Sequence, residues 1–470
     1  MCAARNPVYD HDLADVDLGD ARLDRRACLI LAAILLRPND SFPQVFDTNA
    51  ELEAYYRFTN NPKVRAGALL HSHSAASWRR ATMCGNTVLL LHDTTEHTFD
   101  GDETRIGLSK RGKHQSFWSH VTLAVAETNA PQAFGVVGLR AYLCDDGVWT
   151  WARSDGSGEP IRKGSDRWID GFHEVVGTTP AGLDVIHVAD REGDAYPMFC
   201  ALSSLNQAFV IRAAHNRTLA DDAGKVKDAL AGVQHCVVRE VELASRTDRR
   251  PPKTKATHPT RDTRPAKLAM RATAATVKRP MGSAAELPDA LTMNVVEVNE
   301  LETPEGCSPI HWMLWTTLPV ETPAQIERVV DIYRRRWIIE EFFRSLKTGC
   351  AFSKRQAESL DALLRTQALL LPVAVALLNL RTLARTDPKL PWSAAISERQ
   401  LRILQDAQPK HKLTKRSNVR AVMLAIAAFG GHIKNNGEPG WITLGRGFED
   451  LLERESGWLA AERWMAKGRP

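Results

Sequence analysis

The chain has 470 residues, of which 44% are hydrophobic and 25% charged, and its formal net charge is +5. That length allows several domains around a large core, and the small net charge excludes binding of nucleic acid by overall charge alone. Eight cysteines occur without a CxxC pair, which argues against a zinc ribbon and a disulfide framework and indicates a reduced cytoplasm.

The N-terminal region is predicted to be helical between Ala14 and Pro62, and it shows no pattern of a targeting segment. Two of its segments carry arginines on a helical pattern, LGDARLDRR at 18–26 and YYRFTNNP at 55–62. A helix surface with arginines is often merely solvated. Composition alone therefore assigns these arginines no role.

Two apolar runs are each followed by an aspartate. Thr87 to His92 is predicted as a short buried strand, and Asp93 follows it directly. The second run, Leu183 to Ala189, is followed by Asp190. Loops at strand ends are where scaffolds place catalytic groups. An aspartate after a strand is also a common turn former or helix cap, so each one taken singly favours a structural role.

Further strands are predicted near Val121–Thr128, Phe134–Leu143, Ala208–Ala213 and Ile310–Trp315. The longest apolar stretch, Ala368 to Leu378, is too short to span a bilayer, and it predicts a buried helix in a soluble protein without a membrane partner. Beyond Lys347 the chain is predicted to be mostly helical.

A basic tract lies between Ser245 and Pro280. Only Asp248 and Asp262 oppose its positive charges, and five prolines break any long helix. The composition predicts a solvated loop. Its basic residues are Arg246, Arg249, Arg250, Lys253, Lys255, Arg261, Arg264, Lys267, Arg271, Lys278 and Arg279.

The segment from Asp331 to Lys347 is predicted as one α-helix with two different faces. At about 100° per residue, a stripe roughly 60° wide carries Tyr333, Arg336, Glu340 and Lys347. The opposite side is apolar, as in a helix docked on a core. Mixed charge is also what a solvated helix shows. Glu341 would point about 100° away from the stripe.

The spacing Tyr-x2-Arg-x3-Glu-x6-Lys, preceded by DTT at 93–95 and DREGD at 190–194, resembles one family of bacterial insertion-sequence DDE transposases, which includes that of the Tn-five transposon. The likeness extends from LGDARLDRR to the SGWLAAERWMAKG tail. It implies that Asp93, Asp190 and Glu340 are the catalytic, metal-binding triad. Glu192 and Asp194 are then interpreted as supporting or structural residues.

The resemblance also implies a cofactor and DNA contacts. Three carboxylates would hold two Mg²⁺ ions, with Mn²⁺ as a substitute, because hard cations prefer oxygen ligands. Tyr333, Arg336 and Lys347 would contact DNA phosphate, and Trp312 and Trp337 would hold a flipped base. Without the resemblance, Trp312 and Trp315 are interpreted as core residues. The candidates for end-DNA binding are Arg22, Arg26 and Arg57.

The implied fold is an α/β catalytic core, an RNase H-like mixed sheet interrupted by a β-rich insertion at about 216–310, with helical N- and C-terminal domains. The basic tract would be a loop of that insertion, placed to contact phosphate. The domains are expected at 1–70 for end-DNA binding, 71–370 for the core and 371–470 for dimerisation. The implied enzyme is nucleoid-associated in the bacterial cytoplasm. It acts as a homodimer that cleaves double-stranded DNA at terminal inverted repeats through a hairpin and joins the 3′-hydroxyl to target DNA.

Two alternatives stay open at this point. One is a catalytically inactive DNA-binding inhibitor of transposition. The other is a metal-dependent nuclease of the same fold.

Overall fold

The computed structural model describes residues 12–37, 40–85, 87–99, 105–111, 114–128, 131–152, 160–161, 166–220, 223–243, 262–355, 357–433 and 438–466. The chain forms two compact units. The first unit comprises Met1–Asp184 and Trp337–Pro470, and the second unit is Val185–Arg336.

The first unit begins with four helices: α1 (Ala21–Leu36), α2 (Phe42–Val45), α3 (Asn49–Thr59) and α4 (Ala66–Cys84). Side-chain oxygens cap two of them, since Asp20 accepts from the Arg22 N–H and Thr48 from the Glu51 N–H. The predicted helical N-terminal region is therefore present between residues 21 and 59.

A sheet and a fifth helix follow in the first unit. Its elements are β1 (Val88–Phe99), β2 (Ser109–Arg111), β3 (His114–Ala126), β4 (Ala133–Asp145), β5 (Val148–Trp151), β6 (Pro160–Ile161) and α5 (Asp166–Val176). The strand order is β6-β5-β4-β3-β1, with β2 beside β3. The β1–β3 ladder is antiparallel and runs from Val88↔Ala126 to Phe99↔Gln115. β1 is thus longer than the predicted run that ends at His92.

The second unit contains a mixed sheet. Its elements are β7 (Val185–Ala189), a 3₁₀ turn (Arg191–Gly193), α6 (Tyr196–Ser204), β8 (Ala208–Arg212), α7 (Val226–Ala231), β9 (Val237–Leu243), β10 (Arg264–Lys278), β11 (Ala290–Leu301), β12 (His311–Thr316) and α8 (Pro323–Arg335). The strand order is β7-β8-β12-β11-β10-β9. The pair β7–β8 is parallel, whereas β8, β12, β11, β10 and β9 pair antiparallel.

The structure describes only part of the basic tract. Residues 244–261, which hold its first six basic side chains, lie outside the described residues. The remainder is mostly β10, and its guanidinium groups are paired: Arg264 with Glu300, and Arg271 with Glu297 at 2.6 Å. The prediction of a phosphate-contacting loop is therefore wrong for β10, because cross-strand carboxylates on β11 neutralise these arginines.

The chain returns to the first unit with α9 (Trp337–Arg344), a π-helix (Ser345–Gly349), a 3₁₀ turn (Phe352–Lys354), α10 (Leu360–Thr386), a 3₁₀ turn (Trp392–Ala394), α11 (Glu398–Ala407), a 3₁₀ turn (Pro409–His411), α12 (Val419–Phe429) and α13 (Trp441–Ala466). Apolar residues of α10 to α13 form a shared core cluster. The prediction of a mostly helical C-terminal region is confirmed in the residues described.

Helix α10 has 27 residues and includes the apolar stretch around Pro372. By length and composition it could cross a membrane, which corrects the expectation that this stretch is too short. However, 89% of its most apolar window is buried inside the protein. That burial is typical of the core helix of a soluble protein.

Helix α10 and the segment before it also hold the N-terminal helices. Arg365 donates to the carbonyls of Val64 and Thr59 at 2.5 and 2.7 Å. Arg355 donates to the carbonyl of Asp40 and, at 2.9 Å, to that of Cys350. These buried guanidiniums tie the segment that carries α2 and α3 to the helical core of the first unit.

Buried histidines predict a loss of stability in acid. Burial lowers the pKa of His187, on β7, to about 3, against a smaller raising by its hydrogen bond with Gln207. The unfolded chain, with a histidine pKa near about 6.5, then binds one proton more than the folded chain between these values. The free energy of unfolding should fall by up to about 1.4 kcal/mol per pH unit as the pH drops below about 6.5.

This dependence can be measured by urea unfolding between pH 7 and pH 5. In His187→Leu, the free energy of unfolding should depend less on pH, because one fewer proton is bound on unfolding. Equal slopes for His187→Leu and the wild type would contradict the prediction.

Candidate active site

Asp93 lies in the middle of β1, opposite Val121 on β3. Its Oδ1 accepts the Thr94 N–H at 2.8 Å, and the side chain is half-buried. The expectation that Asp93 sits in a loop after a strand is therefore wrong, because the ladder with β3 continues to Phe99. Since alternate residues of a strand share a face, Asp93 lies on the same face as Thr95 and His97.

Lys347 reaches this face of β1 from the π-helix. Its Nζ donates to Thr95 Oγ1 at 2.7 Å and to the Glu96 carbonyl at 2.6 Å. Burial lowers the pKa of the Lys347 ammonium, and the charges of Glu96 and Asp93 oppose that shift. Thus two of the predicted site residues, Asp93 and Lys347, interact electrostatically within the first unit.

The structure distinguishes the two neighbouring glutamates of α9. Glu341 is buried, its Oε2 accepts from Arg381 at 2.8 Å, and its Oε1 pairs with Arg344. Glu340, in the first turn of α9, is only half-buried. Glu341 is thus part of a structural ion-pair network, and Glu340 stays the predicted ligand.

The segment Asp331–Lys347 is not one α-helix, so that prediction is wrong. Helix α8 ends at Arg335, the Arg336 N–H bonds the Tyr333 carbonyl at 3.0 Å, and α9 begins at Trp337. Lys347 lies in π-helical backbone. A rotation of 100° per residue therefore cannot be carried through to Lys347, because a π-helix has more residues per turn. Tyr333 and Arg336 belong to the second unit, whereas Glu340 and Lys347 belong to the first.

Asp190 lies in the second unit directly after β7, where the sequence predicts it. Its Oδ1 accepts the Glu192 N–H at 2.8 Å and so caps the 3₁₀ turn that follows. This local bond orients the carboxylate at the carboxyl end of a parallel strand. Asp190 therefore caps a turn, which is a structural role, and it also lies at the end of a strand, where the sequence predicts a catalytic group.

Asp194 has a different environment, although it lies only four residues further on. It is buried and accepts from the N–H groups of Ala214 and His215 at 2.6 and 3.0 Å. The Arg217 Nε also donates to it, at 2.9 Å. With its oxygens used by the fold, Asp194 is a structural residue, as the sequence suggests.

Trp312 and Tyr333 contact each other in the second unit. Their rings meet edge to face with centroids 5.6 Å apart, and the Arg212 guanidinium lies 5.9 Å from the Trp312 ring. Burial lowers the pKa of Arg212, Tyr333 raises it, and the charges of Arg191 and Arg336 lower it further. These guanidiniums therefore form a positive patch beside an aromatic pair.

Two of these placements differ from expectation. Tyr333 belongs to the stripe predicted opposite the apolar side of the helix, yet it is only 6% exposed, since it packs on Trp312. Arg212 was missed because it ends an apolar strand, AFVIR, where one arginine gives no signal. Trp315 is fully buried and so is the core residue of its strand, whereas Trp312 is half-buried.

The remaining candidates lie on the first unit's surface. Trp337 is 51% exposed, and the Arg344 guanidinium lies 5.3 Å from its ring. Arg22 is paired with Asp20 at 3.1 Å and Arg57 with Glu53 at 2.5 Å. Arg26 is half-buried on α1.

The predicted triad is distributed over both units, with Asp93 and Glu340 in the first and Asp190 in the second. In the part of the chain that the structure describes, no three His, Cys, Asp or Glu residues are grouped so that they could hold a metal ion. The donor chemistry is nevertheless that of a hard divalent cation, because all three groups are carboxylates.

Comparison with known families gives two matches. Residues 6–64 match a family model described as transposase DNA-binding, and residues 144–376 match one described as transposase DDE domain. The matches support an insertion-sequence DDE transposase. The mixed sheet with its helices fits the α/β RNase H-like core expected for such a domain.

The matched regions of the chain contain most of the candidate residues. Arg22, Arg26 and Arg57 lie inside the DNA-binding match. Asp190 and Glu340 lie inside the DDE match, while Asp93 lies in the stretch between the two matches. The pair of domains supports a DNA partner and a DNA-cleaving and strand-transfer enzyme, a class that generally uses divalent metals.

The two glutamates of α9 should differ in their effect on stability. Glu341→Gln removes the charge that pairs with Arg344 and Arg381, and we expect it to lower the free energy of unfolding by about 1–3 kcal/mol. Glu340→Gln should cost less, because Glu340 is only half-buried and solvent screens its charge. Chemical denaturation of both variants measures the difference, and an equal cost would contradict the structural role of Glu341.

Asp194 and Asp190 provide a second contrast. Asp194→Ala leaves the buried Arg217 guanidinium without its carboxylate, so we expect a loss of about 3–5 kcal/mol of stability. Asp190→Ala removes one capping bond and should cost about 1 kcal/mol. Thermal and urea unfolding test both values. A stable Asp194→Ala variant would show that this ion pair does not support the fold.

Proposed function

We propose that the chain is a Tn-five-like cut-and-paste transposase. It binds the inverted-repeat ends of its element, cleaves them by two-metal hydrolysis through a hairpin intermediate, and joins the 3′-hydroxyl to target DNA. The proposal rests on one observation: on one face of β1, Lys347 donates to Thr95 and interacts electrostatically with Asp93. The same chain contains the transposase DDE match.

The proposed catalytic and metal-binding residues are Asp93, Asp190 and Glu340. Divalent cations, Mg²⁺ or Mn²⁺, would supply an activated water and stabilise the charge on the phosphoryl oxygens when bound by these carboxylates. The capping bond to Glu192 and the bond from the Thr94 N–H orient two of the three carboxylates before any DNA is present. That pre-orientation supports their assignment as ligands.

The cationic and aromatic residues would hold the DNA. Lys347 and Arg336 bind backbone phosphate, the first as a point charge and the second with a bidentate fork. Tyr333 donates a hydrogen bond to phosphate from its place beside Trp312. Trp312 and the exposed Trp337 offer ring faces to a base that has left the duplex.

The wider assembly is part of the same proposal. Arg22, Arg26 and Arg57 on α1 and α3 contact the end DNA, and the helical region 371–470 forms a homodimer in the complex with DNA. Residues 1–70 act as the end-binding domain, and the core 71–370 contains the β-rich insertion. The enzyme works on the bacterial nucleoid in the cytoplasm.

Alanine variants of the triad test this function. Asp93→Ala, Asp190→Ala and Glu340→Ala should each slow metal-dependent cleavage of inverted-repeat DNA at least roughly 100-fold. Binding of the same DNA should persist, because the end-binding residues are elsewhere. The assay incubates the protein with its flanking inverted-repeat DNA and Mg²⁺ and separates nicked, hairpin and joined products on a denaturing gel.

Asp184→Ala is the matched control, since Asp184 is an exposed aspartate just before the start of β7, at the end opposite Asp190. Unchanged cleavage by Glu340→Ala would overturn the triad. Binding without nicking by the wild type would identify an inhibitor of transposition, and cleavage without hairpins or strand transfer would identify a nuclease.

A further inference from the structure

The side chain of Lys347 is held at its tip by β1. Its ammonium has three N–H donors, of which two point to Thr95 Oγ1 and the Glu96 carbonyl at 2.7 and 2.6 Å. Glu96 accepts through its backbone carbonyl, which any residue could supply, and its charge also favours the charged form of the ammonium. The Thr95 hydroxyl is the side-chain group that fixes the ammonium.

The backbone that carries Lys347 is fixed independently of Thr95. Ser345 Oγ donates to the Ala374 carbonyl at 2.8 Å on one side of the π-helix. On the other side, the Cys350 N–H bonds the Ser345 carbonyl at 2.8 Å, and Arg355 donates to the Cys350 carbonyl. At Gly349 an added Cβ would lie 3.2 Å from Leu377, so the π-helix packs closely on α10.

The position of Thr95 in β1 connects this arrangement to the reaction. Thr95 and Asp93 are two residues apart and lie on one face of the strand. Two of the ammonium donors are used by β1, and the third is directed away from these two oxygens. A phosphate oxygen beside Asp93 can then accept a hydrogen bond from this third N–H. Because the lysine rotamer is already fixed, binding the phosphate does not cost the conformational entropy of fixing it.

We propose that Thr95 is a positioning residue that holds the Lys347 ammonium beside Asp93 for the scissile phosphate. This inference rests on the proposed function for its consequence in catalysis. Its structural part, the restraint of Lys347, does not depend on that function.

A conservative pair of substitutions tests the proposal. Thr95→Val replaces the hydroxyl by a methyl group of similar size and suits a strand, whereas Thr95→Ser keeps the hydroxyl. We expect Thr95→Val to slow single-turnover cleavage of inverted-repeat DNA by roughly 10-fold. Thr95→Ser should recover most of that loss, and both variants should unfold near the wild-type temperature.

A double-mutant cycle separates positioning from a general structural effect. If Thr95 acts through Lys347, then Thr95→Val should add little to the loss caused by Lys347→Met. Additive losses in the double variant, or an equal loss in Thr95→Ser, would overturn the proposal.

A readout without DNA distinguishes failure of this proposal from failure of the proposed function. Brief acetylation followed by mass spectrometry measures the reactivity of Lys347 against the exposed Lys389. Release from Thr95 should raise the relative labelling of Lys347 several-fold in Thr95→Val but not in Thr95→Ser. Unchanged labelling would refute the restraint, whereas raised labelling in a protein that cleaves no DNA would refute only the proposed function.

Discussion

The antiparallel ladder between β1 and β3 is the constraint on which the first unit depends. Twelve consecutive residue pairs, from Val88↔Ala126 to Phe99↔Gln115, fix the register of β1. A shift of one residue would exchange the two faces of the strand. The same register that buries Leu89 and Leu91 therefore also decides that Asp93, Thr95 and His97 share one face. A polar row built into the middle of a strand is positioned by backbone hydrogen bonds rather than by a loop, and this gives the candidate site a rigid wall.

Much of the fold could be predicted from patterns of apolar residues. The strands around Asp190, Trp312 and Val121 were located correctly because short apolar runs bounded by polar residues are a local signal. The length of β1 was not, since His92 to Thr98 is mostly polar and only its pairing with β3 makes it a strand. The interruption at Arg336 and the π-helix at Lys347 were likewise invisible, because both depend on packing of the segment rather than on its composition. The triad residues themselves were located through a family resemblance, which carries information on chemistry that periodicity does not.

Ion pairs explain why many charged residues in this chain are structural rather than functional. Glu341, Asp194 and Glu297 are each buried with an arginine partner. A buried carboxylate without such a partner would be costly, so these pairs identify the acids that the fold already uses. Glu340 and Asp190 differ from these three acids in that both are only half-buried.

The guanidiniums of Arg355 and Arg365 have an evolutionary consequence. They bind backbone carbonyls of Asp40, Thr59 and Val64, which lie inside or at the edge of the DNA-binding match, and Tyr55 lies 2.8 Å from Thr366 through their hydroxyls. The region that matches the DNA-binding model is therefore joined to the helical core by buried polar contacts, unlike a module on a flexible tether. A recombination event that exchanged only residues 6–64 with those of a relative would have to preserve this whole contact surface. Changes in what this region binds should accordingly arise by point substitution on exposed helix faces, with the two regions inherited as one block.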